Sequence, residues 1–237
     1  MPLIFSPLSD DLIALPPRIL FPRQCFVMKQ IGTPPKLDTE ITGSVEQILI
    51  ARNFKVKDAG SSTGSKDYLE RILGLIRGTG ITIAIFSHQT RPSALANIML
   101  ELGFAAMCGK PLMIIKSVDA DAPSDLKRTD WIDFNPADPP AFEEKVNQAL
   151  DAVDELAEFE EQLLDISLDA ASMDCAIAFE RVQRAFLLSG EPRLLDKAKS
   201  IADRLLNTRN VDQVDDLNRL HNEVALFLSQ GRKSILA

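Results

Sequence analysis

Ile81-Thr-Ile-Ala-Ile-Phe86 is a continuous, largely β-branched apolar run of the kind that a parallel sheet buries on both faces. A second such run, Leu112-Met-Ile-Ile115, follows about 25 residues later. Between them lies Ala94-Leu-Ala-Asn-Ile-Met-Leu-Glu-Leu-Gly-Phe-Ala-Ala-Met-Cys-Gly-Lys-Pro111, which reads as a helix ended by Gly109 and Pro111. Strand, helix, strand in that order is a right-handed parallel crossover. The same alternation extends outward on both sides. Cys25-Phe-Val-Met28 is a strand, and Leu37 to Arg52 has helical spacing at Ile41, Val45, Ile48 and Leu49. Phe54 to Asp58 is a second strand, followed by a helix marked by Tyr68, Leu69, Ile72, Leu75 and Ile76. Trp131-Ile-Asp-Phe134 closes the series. The expectation is an α/β fold with a doubly wound parallel sheet, whose ligands bind beyond the carboxyl ends of the strands.

The flanks read differently. Residues 1–23 are punctuated by Pro2, Pro7, Pro16, Pro17 and Pro22 and are expected to be an extended lead-in to an α/β domain over 24–140. After the break at Pro136 to Pro140, apolar i, i+3, i+4 spacing recurs in Phe142 to about Ile166, Cys175 to Leu188, Arg193 to Leu206 and Gln213 to Gln230. This pattern predicts a small all-α domain over 141–237. Of the net charge of −8, residues 1–150 carry −1 and residues 151–237 carry −7. That distribution argues against a nucleic-acid partner for the second half. Cys25, Cys108 and Cys175 are far apart, with no spacing that suggests a metal site or disulfide framework, and read as reduced cysteines of a cytoplasmic protein. No apolar run reaches the roughly 18 residues of a membrane span. The helices after residue 141 carry apolar stripes but follow a domain with enough residues to form its own core, so some stripes are expected to face another subunit of a homo-oligomer.

Within the helix before Pro111, one residue is out of place. Leu95, Ile98, Met99, Leu102 and Ala106 fall on one stripe, while Glu101 shares a neighbouring face with Asn97, Ala94 and Ala105. A carboxylate there either lines a cleft or pairs with Lys110 or Arg91 at the helix surface.

Glu101-Leu-Gly-Phe-Ala followed by Gly109-Lys-Pro and an apolar strand resembles the Glu-x-Gly-x-Ala segment of nucleoside 2-deoxyribosyltransferases and of bacterial TIR-like domains, which share a flavodoxin-like layout. The resemblance covers roughly residues 24–150. It implies that Glu101 is the catalytic carboxylate acting at C1′ of a ribosyl group, and that relatives serve in antiphage defence. Deoxyribosyltransferases usually carry an aspartate after the third strand, whereas here the loop is Ser87-His-Gln-Thr-Arg-Pro-Ser93. A neutral nucleobase needs a proton to leave, but the cationic nicotinamide of NAD departs neutral, so NAD is the easier substrate without that acid. The expected activity is therefore NAD hydrolysis, with no further cofactor and no metal. A deoxyribosyltransferase or nucleoside hydrolase is one alternative, and a non-catalytic nucleotide-sensing or scaffold module another.

Other candidates fall in loops at the presumed binding edge. Gly60-Ser61-Ser62 opens a loop ahead of a helix, whose free N–H groups either hold a phosphate or face solvent; it lacks the Walker spacing. Ser87 and His88 follow the third strand directly, and His88 either donates to a ribose or phosphate or is a surface residue. Arg91 suits a diphosphate but equally a helix start, and Lys29 belongs to a ribose contact or a turn.

Overall fold

The structure is a computed structural model, and it describes residues 19–60, 68–121, 131–169, 174–207 and 214–236 of the 237. Five strands, β1 (Phe21–Met28), β2 (Lys55–Asp58), β3 (Thr79–Phe86), β4 (Leu112–Ser117) and β5 (Trp131–Phe134), form one sheet in the order β2-β1-β3-β4-β5. Every neighbouring pair is parallel. This is the flavodoxin-like order, with its switch point between β1 and β3. The helices are α1 (Lys36–Ala51), α2 (Tyr68–Gly78), α3 (Pro92–Met107), α4 (Pro139–Asp169), α5 (Cys175–Ser189), α6 (Arg193–Asn207) and α7 (Val214–Leu236).

Alternation along the strands divides the core into two layers. Cys25, Val27, Ile81, Ile83, Ile85, Met113 and Ile115 pack with Ile41, Val45 and Leu49 of α1 and with Phe142, Val146, Leu150, Val153 and Ala157 of α4. Phe26, Met28, Ala84, Phe86 and Ile114 face the other way, against Ile72, Leu75 and Ile76 of α2 and Ile98, Leu102 and Ala105 of α3. A third cluster joins Leu164 of α4 to Phe179, Val182 and Phe186 of α5, Leu194, Ala198 and Ile201 of α6, and Val224 and Phe227 of α7.

The strand expected from Cys25 begins four residues earlier, at Phe21. Pro22 is tolerated there because β2 pairs with β1 only from Gln24 onward, and the register against β3 shifts between Phe21 and Cys25. Arg23 takes a left-handed φ of 55° at this irregularity. Its guanidinium lies 3.8 Å from the Phe54 ring centroid and donates to Asp154 (2.5 Å), to the Leu188 carbonyl (3.3 Å) and to the Arg52 carbonyl (3.2 Å). Arg52 in turn donates to Asp151 (2.7 Å) and Asp154 (2.9 Å). Burial alone would raise the Asp154 pKa, but the hydrogen bonds from Arg23 and Arg52 outweigh it and hold the carboxyl below its ordinary value. Residues after 140 are thus tied to the sheet twice, by the first half of α4 in the core and by this polar clamp. Among the described residues, no helix is long and apolar enough to cross a membrane.

Candidate active site

Helix α3 starts with Pro92 at its first position, where the missing N–H costs nothing, and runs back across the sheet from the carboxyl end of β3. Its buried residues are Ile98, Glu101, Leu102 and Ala105. The core face is therefore turned from the expected stripe toward Glu101. Ala106, expected inside, is exposed, and Asn97, expected beside Glu101, also faces solvent. The reason is the neighbour: α2 packs against this flank of α3 through Ile72, Leu75 and Ile76 and draws the Ile98–Ala105 line inward.

Glu101 is only 8% exposed and makes no hydrogen bond or ion pair with the described residues. Lys110 does not reach it. The Lys110 ammonium donates instead to the carbonyls of Arg77 (2.9 Å) and Thr79 (2.7 Å), capping the end of α2. Arg91 is exposed and is held through its backbone N–H by Gln30 Oε1 at 3.0 Å. With no compensating charge, burial pushes the Glu101 carboxyl up to about 7. Gly109, at φ 62°, makes the turn into β4. Gly-Lys-Pro is thereby accounted for by the fold, whereas the glutamate ahead of it is not.

Gly103, mid-helix, is also unexplained by packing, since an added Cβ would meet nothing within 4 Å. Gly103→Ala is expected to stabilise the protein by about 0.5–1 kcal/mol in urea unfolding, through helix propensity alone. A destabilised variant would mean that the helix is strained there.

At the carboxyl edge of the sheet, the loops after β1 and β3 are knitted by a carboxylate. Asp38, in the first turn of α1 and 2% exposed, accepts hydrogen bonds from Ser87 Oγ on one oxygen and from Thr90 Oγ1 on the other, the latter at 2.8 Å. Ser87 Oγ also accepts from the Gln89 N–H (3.0 Å), and Thr90 Oγ1 from the Ser87 N–H (2.8 Å). Gln30, likewise buried, completes the seam by donating to the Thr33 carbonyl at 2.7 Å. Asp38 thus places a carboxylate in the first turn of α1, where the helix dipole favours negative charge, and ties that turn to the loop after β3. Asp38 escapes a reading of the sequence because its partners lie 49 and 52 residues away; an acid in a first helical turn after Pro34-Pro35 is the only local sign.

The remaining candidates distribute around this seam. Ser87 is buried, with its hydroxyl committed to Asp38, so it is not a free ligand donor. His88 is exposed, its backbone N–H donating to Ser117 Oγ (3.2 Å) and its Nδ1 at 3.3 Å from the same oxygen. Lys29 is ion-paired with Glu46 (3.1 Å) and Asp58 (3.3 Å). Gly60 is exposed at the end of β2, and Ser61 and Ser62 lie outside the described residues. The rim thus gathers Lys29, Gly60, Ser87, His88 and Arg91. Glu101 stands apart from them: as the tenth residue of α3 it lies about 13 Å along the helix axis from Pro92. Among the described residues, no group of three or more His, Cys, Asp or Glu side chains is placed to hold a metal ion.

Compared with protein-family models and with curated proteins, the chain matches none.

Proposed function

We propose that this chain is a TIR-like nucleotide N-glycosidase that cleaves the nicotinamide–ribose bond of NAD, with Glu101 as the carboxylate that faces C1′. One observation carries the reading: Glu101 is buried, without a partner and raised in pKa, in a segment whose Gly-Lys-Pro end has a structural account. Strongly perturbed carboxyls that serve no structural pairing concentrate where proteins do chemistry. Ionised Glu101 stabilises the oxocarbenium-like centre as the C1′–N bond breaks, or captures it covalently. Nicotinamide leaves with the bonding pair as a neutral molecule, and water adds to C1′, releasing ADP-ribose and a proton. Exposed His88 and Arg91 stand apart from Glu101, so what they supply at the rim is a donor and a cation for the distal part of an extended dinucleotide, its diphosphate and adenosine ribose.

The same raised pKa favours a second reading. Near pH 7 a large fraction of Glu101 holds a proton, and in that form it can protonate a departing neutral base. A nucleoside hydrolase or deoxyribosyltransferase would use that state. The two readings predict opposite pH profiles: NAD cleavage rises as pH passes upward through about 7, and acid-assisted base release falls. Mass spectrometry of purified protein with NAD, and with a deoxynucleoside plus free base, separates them. The expected result is NAD cleavage at least about tenfold faster, or roughly 1.4 kcal/mol of barrier. Dominant base exchange would replace this reading with the transferase, and absence of any product would favour a sensing or scaffold role.

A further inference from the structure

A cavity of about 140 Å³ lies at the amino edge of the sheet, opposite the rim that carries Ser87 and His88. The turn from α3 into β4 lines it with Cys108 and Lys110, and the helices beyond the sheet add Glu160 of α4 and Arg184 of α5. Its remaining wall is apolar, with Leu156 of α4 and Leu187 and Leu188 of α5.

Positive charge around this cavity is not balanced from within the chain. Lys110 has three N–H donors, of which two go to the carbonyls of Arg77 and Thr79 at 2.9 and 2.7 Å. The third has no partner among the described residues. Burial pushes the Lys110 ammonium down to about 8, and Arg77 and Arg184 repel it further. The Arg77 guanidinium forms no hydrogen bond or ion pair among the described residues, and burial lowers its pKa as well. Cys108 is no counter-ion, because burial holds its thiol above the ordinary value. Arg184 reaches to 3.9 Å from where a Cβ on Gly109 would lie, and pairs with Glu180 (2.9 Å) and Glu160 (3.4 Å). Glu160 is shared with Arg181, also at 3.4 Å. These two carboxylates leave Lys110 and Arg77 uncompensated, in a chain whose net charge is −8. Desolvated cations without a counter-ion are costly, so the arrangement favours an anionic guest.

The walls narrow its chemistry. Glu160 would repel a doubly charged phosphate more than a single carboxylate, and the three leucines leave most of a phosphate's oxygens without donors. An apolar cavity of roughly 150 Å³ holds a benzene, so about six non-hydrogen atoms fit here. We propose that this cavity is a binding site for a short-chain monocarboxylate, with its carboxylate between Lys110 and Arg184 and its alkyl part against Leu156, Leu187 and Leu188. The site is independent of any activity at Glu101, which lies about 10 Å back along α3 from Cys108.

The test is a titration of the isotope-labelled full chain, followed by the backbone amide resonances of Gly80, Gly109 and Lys110 at constant ionic strength. The probes are butanoate, its neutral isostere butanamide, and inorganic phosphate. Butanoate should shift these resonances saturably with a dissociation constant of about 1 mM or below. Butanamide and phosphate should bind at least about tenfold more weakly, the first lacking the charge and the second the apolar part. Lys110→Met should cost at least about tenfold in butanoate affinity. Because that change also removes the cap on α2, Arg184→Gln serves beside it: its side chain is half exposed, so the fold should persist while butanoate affinity falls several-fold. Absence of saturable shifts with butanoate, equal binding of butanamide, tighter binding of phosphate, or unchanged affinity in a folded Arg184→Gln protein would each overturn the proposal.

Discussion

Glu101→Gln should leave a protein that is more stable than the parent at pH 8 and at least a hundredfold slower, a loss of roughly 2.7 kcal/mol of transition-state stabilisation. The amide keeps the shape of the side chain and removes the charge that the proposed cleavage places against C1′. The stability gain has a defined sign. In the folded chain the carboxyl is raised to about 7 from an ordinary 4.5, so between those values the folded state holds a proton that the unfolded state has released. The stability associated with that proton is complete below about pH 4.5 and is lost as pH rises through about 7. Glutamine does not titrate and escapes the loss. Urea unfolding should show the two proteins nearly equal near pH 5 and the variant ahead by about 2 kcal/mol at pH 8, the amide's own desolvation taking part of the gain. A variant less stable than the parent at pH 8 would mean that Glu101 has an electrostatic partner in the fold, and the assignment would fail with it.

Gly80→Ala should be the most damaging single-atom change in the scaffold. An added Cβ would lie 2.3 Å from the Leu187 carbonyl oxygen, 2.9 Å from its carbon and 3.2 Å from the Leu188 Cα. These are backbone atoms of a helix buried between sheet and bundle, so no side chain can swing aside. Helix α5 has to retreat from the start of β3, opening the contact that Leu187 and Leu188 make there. A loss of about 3 kcal/mol is expected, the upper end of overpacking effects, because the obstruction is main chain. Gly74→Ala is the control, since its added methyl meets nothing within 4 Å and the residue is exposed on α2. It should be neutral or slightly stabilising. Equal urea midpoints for the two variants would contradict the close approach of α5 to β3.

The strands and helices were readable because each carries its own period. Ile81 to Phe86 has the unbroken apolar character of a central parallel strand, and Ile41, Val45, Ile48 and Leu49 repeat at helical intervals. Pro22 hid the start of β1, because a proline argues against a strand unless the partner strand is known to be missing opposite it. The role of α4 was hidden for a similar reason. Phe142 to Ile166 has helical spacing throughout, but only strand order reveals that Phe142, Val146 and Leu150 close the sheet while Leu164 serves the bundle.

Of the candidate site, the acid in an apolar helix was legible; its surroundings were not. Glu101 stands out against Ile98, Leu102 and Ala105 by polarity alone. Whether it is paired depends on where Lys110 and Arg91 point, and Lys110 turns to the end of α2. Ser87 looked like a free hydroxyl at a strand end, yet it is held by Asp38 from a helix 49 residues earlier. No local pattern encodes that pairing, because it is made by placing β3 beside β1.

The most direct test of Glu101 as the catalytic carboxylate of an NAD-cleaving enzyme is nicotinamide release from NAD at enzyme concentrations comparable to substrate, measured side by side for the parent chain and Glu101→Gln. Release by the parent, at least a hundredfold slower in the folded variant, is the predicted result; equal release by both proteins, or none by either, would contradict it.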